Sequence, residues 1–385
     1  MKWLIPALVA LAACTRPYAV PEVSPDRAFL GVSDYLQAEG AARIVLSHGM
    51  CSGEHRASGT DTNWVGQRAA QIARSLGVLH TPEPAYQPSA VYPPGAGPDE
   101  PAVRRYDVSF VQNEKPVTAS FLIWGSFVDA YRENLEFENT RRSSQTPEAP
   151  RRARLNADVK SELMNRCLID AVVYLGRNGD PIRRNMRHAV CELLGGQFTP
   201  AKRPGDARSS GTCRNPKRSG VPTVLIPESL GSTILFEAYM MLDDRQGQRA
   251  LARSLGDVRS VFMASNQYAL LRQGTVSDGQ LRTLDARPQD ALGAFLAARL
   301  GQTEVQSLTQ QSRPDFQLVA ITDPNDVLGY RVDGQTLSGL PVDYRNVLVS
   351  NTDTILQLAA DPIKAHRDTA RPQVFDLIVK GYTPQ

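Results

Sequence analysis

The sequence predicts an α/β fold with a mostly parallel central sheet and helices on both faces. Short uninterrupted apolar runs rich in β-branched residues recur along the chain, helical periodicities fill the gaps between them, and turn-forming residues bound each run. Strands buried on both faces of a sheet read in this way. The runs are Ala42–Leu46, Val117–Ile123, Thr223–Ile226, Val261–Ala264 and Phe316–Ile321. Helical spacing places Val65, Ala69, Ile72 and Leu76 on one face of Asn63–Leu76, and Glu162–Leu175 and Ile182–Leu194 read similarly. Tyr106–Trp124, with Asn113-Glu114-Lys115-Pro116 at its middle, reads as a hairpin that interrupts the alternation as an insertion.

The N-terminus carries Lys2 and an apolar stretch from Trp3 to Leu11, about half the length a bilayer span needs. It predicts an export signal over residues 1–13 and not an anchor helix. Leu11-Ala12-Ala13-Cys14 resembles a bacterial lipobox, which implies cleavage before Cys14 and acylation of its thiol. Thr15, where an Asp would signal retention, implies by the same resemblance an outer-membrane destination in the cell envelope. Residues 14–41 then form a tether and N-terminal segment, and 42–385 the folded domain.

Composition fits an exported folded protein: 42% of its 385 residues are hydrophobic, and the net charge is only +3. Lys and Arg are balanced by acids and form no sustained basic stripe, which argues against a nucleic-acid partner. Once Cys14 is set aside, Cys51, Cys167, Cys191 and Cys213 remain, an even number for an oxidising compartment. Two disulfides are expected in one of three connectivities, with Cys191–Cys213 the first to test. Loop composition marks Thr81–Pro101, Thr140–Arg154 and Pro200–Gly220, so an insertion of about 81–221 is expected within the domain.

The chemistry-bearing segment is Thr223-Val224-Leu225-Ile226-Pro227-Glu228-Ser229-Leu230-Gly231-Ser232, followed by a helical pattern at Ile234, Leu235, Ala238, Met241 and Leu242. A strand running through a serine into a helix is the context of a nucleophile elbow, whose tight turn requires small neighbours. Gly231 and Ser232 are small, while Pro227 occupies the place of the first glycine in Gly-x-Ser-x-Gly. Earlier, Ile44-Val45-Leu46 ends in Ser47-His48-Gly49-Met50. Only His366 follows Ser229 among the five histidines, just before a helical pattern at Val374, Phe375, Leu377, Ile378 and Val379. Phe316–Ile321 runs into Thr322-Asp323-Pro324-Asn325-Asp326.

In this order the motifs resemble the α/β-hydrolase superfamily over Ala42 to Gly381. The resemblance implies a serine hydrolase acting on an ester, with Ser229 as nucleophile, His366 as base and Asp326 as orienting acid, Asp323 being the alternative acid. It also implies an oxyanion hole from the backbone N–H groups of Met50 and Leu230. The substrate would be a small-molecule or lipid ester, and no cofactor is called for. No metal-ligand spacing or phosphate-binding loop is present in the sequence. Two alternatives stay open: an acyltransferase with the same triad, and a non-catalytic envelope lipoprotein that keeps the fold.

The lipobox generates the first expected outcome. In a bacterium that processes lipoproteins, Cys14→Ala moves the protein from the membrane fraction to the soluble fraction. Sedimentation of the variant with membranes in high salt would contradict the anchoring.

Overall fold

The computed structural model describes residues 14–15, 21–50, 60–80, 86–138, 152–200, 211–240, 254–273, 291–300, 316–334, 337, 340, 342–350, 354–355, 365–366 and 371–384. Among them, nine strands form one sheet: β1 (Glu22–Ser24), β2 (Ala42–Ser47), β3 (Ala90–Tyr92), β4 (Val103–Gln112), β5 (Lys115–Ile123), β6 (Thr223–Pro227), β7 (Val258–Ala264), β8 (Gln317–Thr322) and β9 (Asp343–Leu348). Their spatial order is β1-β9-β8-β7-β6-β2-β5-β4-β3. The six strands from β9 to β5 run parallel, and β1, β4 and β3 pair antiparallel to their neighbours.

Period-two alternation sends successive strand residues to opposite faces, each covered by its own helices. Val45, Leu225, Val261, Met263, Leu318 and Ala320 pack under α3 (Asp180–Leu193), α4 (Gly231–Met240) and α5 (Ala291–Leu300). Ile44, Leu46, Val224, Ile226, Phe262, Val319 and Ile321 pack under α1 (Val32–Glu39), α2 (Thr60–Leu76) and α6 (Pro372–Lys380). The α/β architecture with a mostly parallel sheet is therefore present, with both faces buried. α4 is enclosed by neighbours on more than one side: Phe236 and Tyr239 are as buried as the expected Ile234, Leu235 and Ala238. Met241 and Leu242 lie outside the described residues.

Three elements differ from their sequence reading. The hairpin is not an interruption: β5 pairs with β2 along its length, so the hairpin extends the main sheet. Its turn has Asn113 and Glu114 at φ 49° and 66°, the two-residue geometry that matches strand twist. Secondly, β1 and α1, which precede Ala42, belong to the folded body. β1 adds to the sheet edge beside β9, and Val32 and Leu36 of α1 are buried. Thirdly, β9 had no apolar run to betray it, because Arg345 and Asn346 sit mid-strand. Arg345 bonds Asp343 and the carbonyls of Arg27 and Ala28 there.

Glu162–Leu175 is helical as expected, within a run of Arg154–Asp158, a π-wound Val159–Leu168 and Ile169–Leu175. A disulfide joins Cys191 of α3 to Cys213, which sits in a short hairpin of Gln197–Thr199 with Thr212–Arg214. Cys167 is disulfide-bonded as well. Cys51 lies outside the described residues, as do 81–85, 140–151 and 201–210 of the expected loops. The backbone of Cys14–Thr15 pairs antiparallel with Thr354–Ile355. Among the described residues no helix is long and apolar enough to cross a membrane.

At the N-terminal edge of the sheet, Asp257 closes the turn before β6. Its carboxylate accepts from the Ser219 and Gly220 N–H groups at 2.6 and 2.9 Å, from the Ser219 hydroxyl and from Arg218. Burial alone would push its pKa up, but the Arg218 and Ser219 side chains and the two backbone donors together hold it below the usual carboxylate value. A depressed folded-state pKa means the unfolded chain binds more protons as pH falls. The stabilisation is then full above the ordinary carboxylate range and is lost as pH drops through the lowered value. Asp257→Ala is expected to cost about 2–3 kcal/mol by orphaning those donors. Urea titrations at several pH values check this, and the difference from wild type should shrink as pH falls below the ordinary carboxylate range of about 4.

Candidate active site

From β2 the chain runs to the far edge of the sheet at β3 and returns through β4 to β5, then crosses back to lay β6 on the other side of β2 and continues through β7, β8 and β9. The C-terminal ends of β2 and β6 thus lead into connections that diverge, leaving a crevice where parallel α/β sheets bind ligands. Ser47-His48-Gly49 and Glu228-Ser229 occupy those two ends.

Ser229 has φ +53°, a left-handed conformation rare for a residue with a Cβ. The turn is held from both sides, with the Glu228 N–H donating to the Ser47 carbonyl at 2.9 Å and the Ser229 N–H to that of Ala264 at 2.8 Å. The chain then winds directly into α4, with Gly231 and Ser232 donating to the Glu228 and Ser229 carbonyls. The steric demand falls on two glycines. A Cβ on Gly49 would sit 2.5 Å from the Ser229 Cβ, and one on Gly231 would sit 2.6 Å from the His48 carbonyl oxygen. Pro227 is simply the last residue of β6, in register with Ser47.

The structure brings Ser229, His366 and Asp326 into one hydrogen-bonded chain. Ser229 Oγ lies 2.9 Å from His366 Nε2, and His366 Nδ1 lies 2.9 and 2.8 Å from the two carboxylate oxygens of Asp326. All three side chains are buried. The carboxylate puts the ring proton on Nδ1, so Nε2 presents its lone pair to the serine hydroxyl. Asp326 also accepts from the Leu328 N–H, and Gly329 leaves it room, since a Cβ there would be 2.5 Å from Oδ2. Asp323 turns instead to its own loop, accepting from the backbone and side-chain amides of Asn325.

Met50 and Leu230, the two expected oxyanion donors, flank the serine: Leu230 follows it, and Met50 follows Gly49, which abuts it. Neither N–H donates to another group among the described residues. Leu230 also stands where α4 opens, at the positive end of its dipole. The loop bearing Met50 is pinned by His48. Its Nε2 accepts from the Trp124 and Gly125 N–H groups at 2.9 and 3.1 Å, its Nδ1 bonds the Gly49 carbonyl, and its ring stacks on Trp124. His48 is therefore a neutral structural ring.

Several residues of the site carry no local sequence signal. Glu228 is buried and forms a two-pronged pair with Arg68 of α2 at 2.7 and 2.8 Å. Arg68 lies over the rings of Trp64 and Phe375 of α6. After β7, Ser265 at φ +47° donates its hydroxyl to the His366 carbonyl, and the Gln267 amide lies 3.3 Å from His366 Nε2. Only the pairing across 160 and about 100 residues gives these side chains their meaning. Among the described residues no group of three His, Cys, Asp or Glu is placed to hold a metal ion.

No family model matches the chain, and no curated protein or solved structure matches it either.

The close approach at the elbow yields a steric test. Gly49→Ala and Gly231→Ala place a methyl against fixed backbone or Cβ atoms, and each is expected to destabilise by about 1–3 kcal/mol. Gly97→Ala, whose added Cβ meets nothing nearer than 3.8 Å, serves as control and should stay within about 0.5 kcal/mol. Chemical denaturation of the three variants measures this.

Proposed function

We propose that the chain is a serine hydrolase of the α/β-hydrolase kind that cleaves carboxylic esters through an acyl-enzyme, attached to the bacterial envelope through Cys14. The observation that carries the reading is the continuous chain from Ser229 through His366 to Asp326, seated on a strained turn at the switch point of a parallel sheet. The order serine, acid, histidine along the sequence supports it too. In this mechanism His366 Nε2 takes the proton of Ser229 as Oγ attacks the ester carbonyl, and Asp326 holds the ring proton on Nδ1. The Met50 and Leu230 N–H groups receive the developing oxyanion. The protonated Nε2 then delivers its proton to the departing alkoxide. Water, deprotonated by the same nitrogen, releases the acid and restores Ser229.

The reading is tested with short activated esters and a fluorophosphonate probe. Ser229→Ala should lose on the order of a millionfold in turnover and all labelling, with an unchanged melting temperature. His366→Ala should lose a comparable factor, and the Ser229/His366 double variant should be scarcely worse than either single one. Asp326→Asn should lose on the order of 10⁴, far more than Asp323→Asn. Near-normal turnover of Ser229→Ala, or persistent labelling, would sink the proposal.

A further inference from the structure

His366 Nε2 has one lone pair, yet two donors converge on it. Ser229 Oγ stands at 2.9 Å and the Gln267 side-chain nitrogen at 3.3 Å. The serine alone satisfies that lone pair in the resting state, so the amide is surplus to the triad. The backbone that carries it is fixed in place. The Gln267 carbonyl accepts from the Leu270 and Leu271 N–H groups, Asn266 bonds Tyr330 and Tyr268, and Ser265 bonds the His366 backbone. The Gln267 residue is only 1% exposed, and among the described residues its side-chain oxygen has no hydrogen-bond partner. That oxygen is not sealed off, so a nearly enclosed amide holds an acceptor open to a small molecule beside the reacting nitrogen of the base.

The second half of an acyl-enzyme cycle provides one. The acceptor must bring its O–H to Nε2 once Ser229 is esterified, and this places its oxygen within reach of Gln267. We propose that Gln267 is a catalytic residue that binds the acceptor and selects water over alcohols. The inference rests on the hydrolase reading above. A water molecule has two hydrogens: one points to His366 Nε2 and the other fills the Gln267 oxygen, which aims the water lone pair at the acyl carbon. An alcohol has one hydrogen, and binding it leaves the amide oxygen without the hydrogen bond that water gives it. In the step itself the water oxygen bonds to the acyl carbon and its proton passes to Nε2. The bond from that carbon to Ser229 Oγ then breaks, and Oγ takes the proton back from Nε2.

The experiment is product partition in water–methanol mixtures with a p-nitrophenyl ester, comparing free acid with methyl ester for wild type, Gln267→Met and Gln267→Glu. Both products arise from one acyl-enzyme, so their ratio does not depend on how much of a variant is folded. Gln267→Met, which keeps the length and removes the polar group, should raise the methyl ester to acid ratio about tenfold, the worth of one hydrogen bond. Gln267→Glu keeps an acceptor oxygen and should restore most of the preference for water. An unchanged ratio in Gln267→Met, with both products reduced together, would overturn the inference while leaving the hydrolase reading intact. If wild type forms neither product and takes no fluorophosphonate label at Ser229, the hydrolase reading falls and the inference with it.

Discussion

The left-handed backbone at Ser229 is the constraint on which the rest of this structure depends. A serine at φ +53° costs on the order of 1–3 kcal/mol and persists only where its surroundings leave no alternative. Here the ends of β2 and β7 hold the two peptide N–H groups of the turn, and α4 starts immediately behind it. Glu228 adds a third restraint. With its carboxylate locked to Arg68 and that guanidinium lying over Trp64 and Phe375, the residue before the serine is tied to α2 and α6 together. A buried ion pair contributes little net stability, but losing one partner leaves a stranded charge worth about 3–5 kcal/mol. Its effect is therefore to make other conformations of the elbow expensive.

The strand order then decides what can gather around that turn. Because β6 lies next to β2 rather than β5, the loop bearing His48 and Gly49 runs against the elbow, and only glycine fits at the closest point. Because β7 and β8 follow outward in order, their loops arrive on the other side. The β7 loop reaches the backbone and ring of His366, and the β8 loop supplies Asp326. The same two loops are stitched together by Tyr330, whose N–H donates to Asn266 and whose carbonyl accepts from Asn266 and Thr322.

How much of this the sequence discloses depends on whether the information is local. Ser229 was legible because strand, turn and helix are contiguous, and His366 because no other histidine follows the serine. The choice between Asp323 and Asp326 is not decided locally, because both lie within one short turn. The physical discriminators, the room left by Gly329 and the turn that Asp323 closes with Asn325, appear only once the loop is folded. Arg68, Ser265 and Gln267 were illegible for a stronger reason. Each is an ordinary polar residue in its own segment, and each takes its place from a partner far along the chain. β9 escaped notice because its charged Arg345 is satisfied by carbonyls from the segment before α1, a contact that no periodicity reports.

The two buried histidines illustrate the difference between a structural ring and one equipped for proton transfer. Both are neutral tautomers with a proton on Nδ1, and both present the Nε2 lone pair to donors. At His48 those donors are backbone N–H groups of Trp124 and Gly125, which cannot leave without unfolding the end of β5. At His366 they are a side-chain hydroxyl and a side-chain amide, which can rotate away or surrender a proton without moving the fold. The carboxylate of Asp326 is what makes the second arrangement usable, because it stabilises the imidazolium that proton uptake creates. His48 bonds a carbonyl oxygen at the corresponding nitrogen, which fixes the ring's orientation but offers no full charge to offset a second proton. Burial and shape are alike in the two rings; what separates them is the mobility of the donor on one nitrogen and the charge of the acceptor on the other.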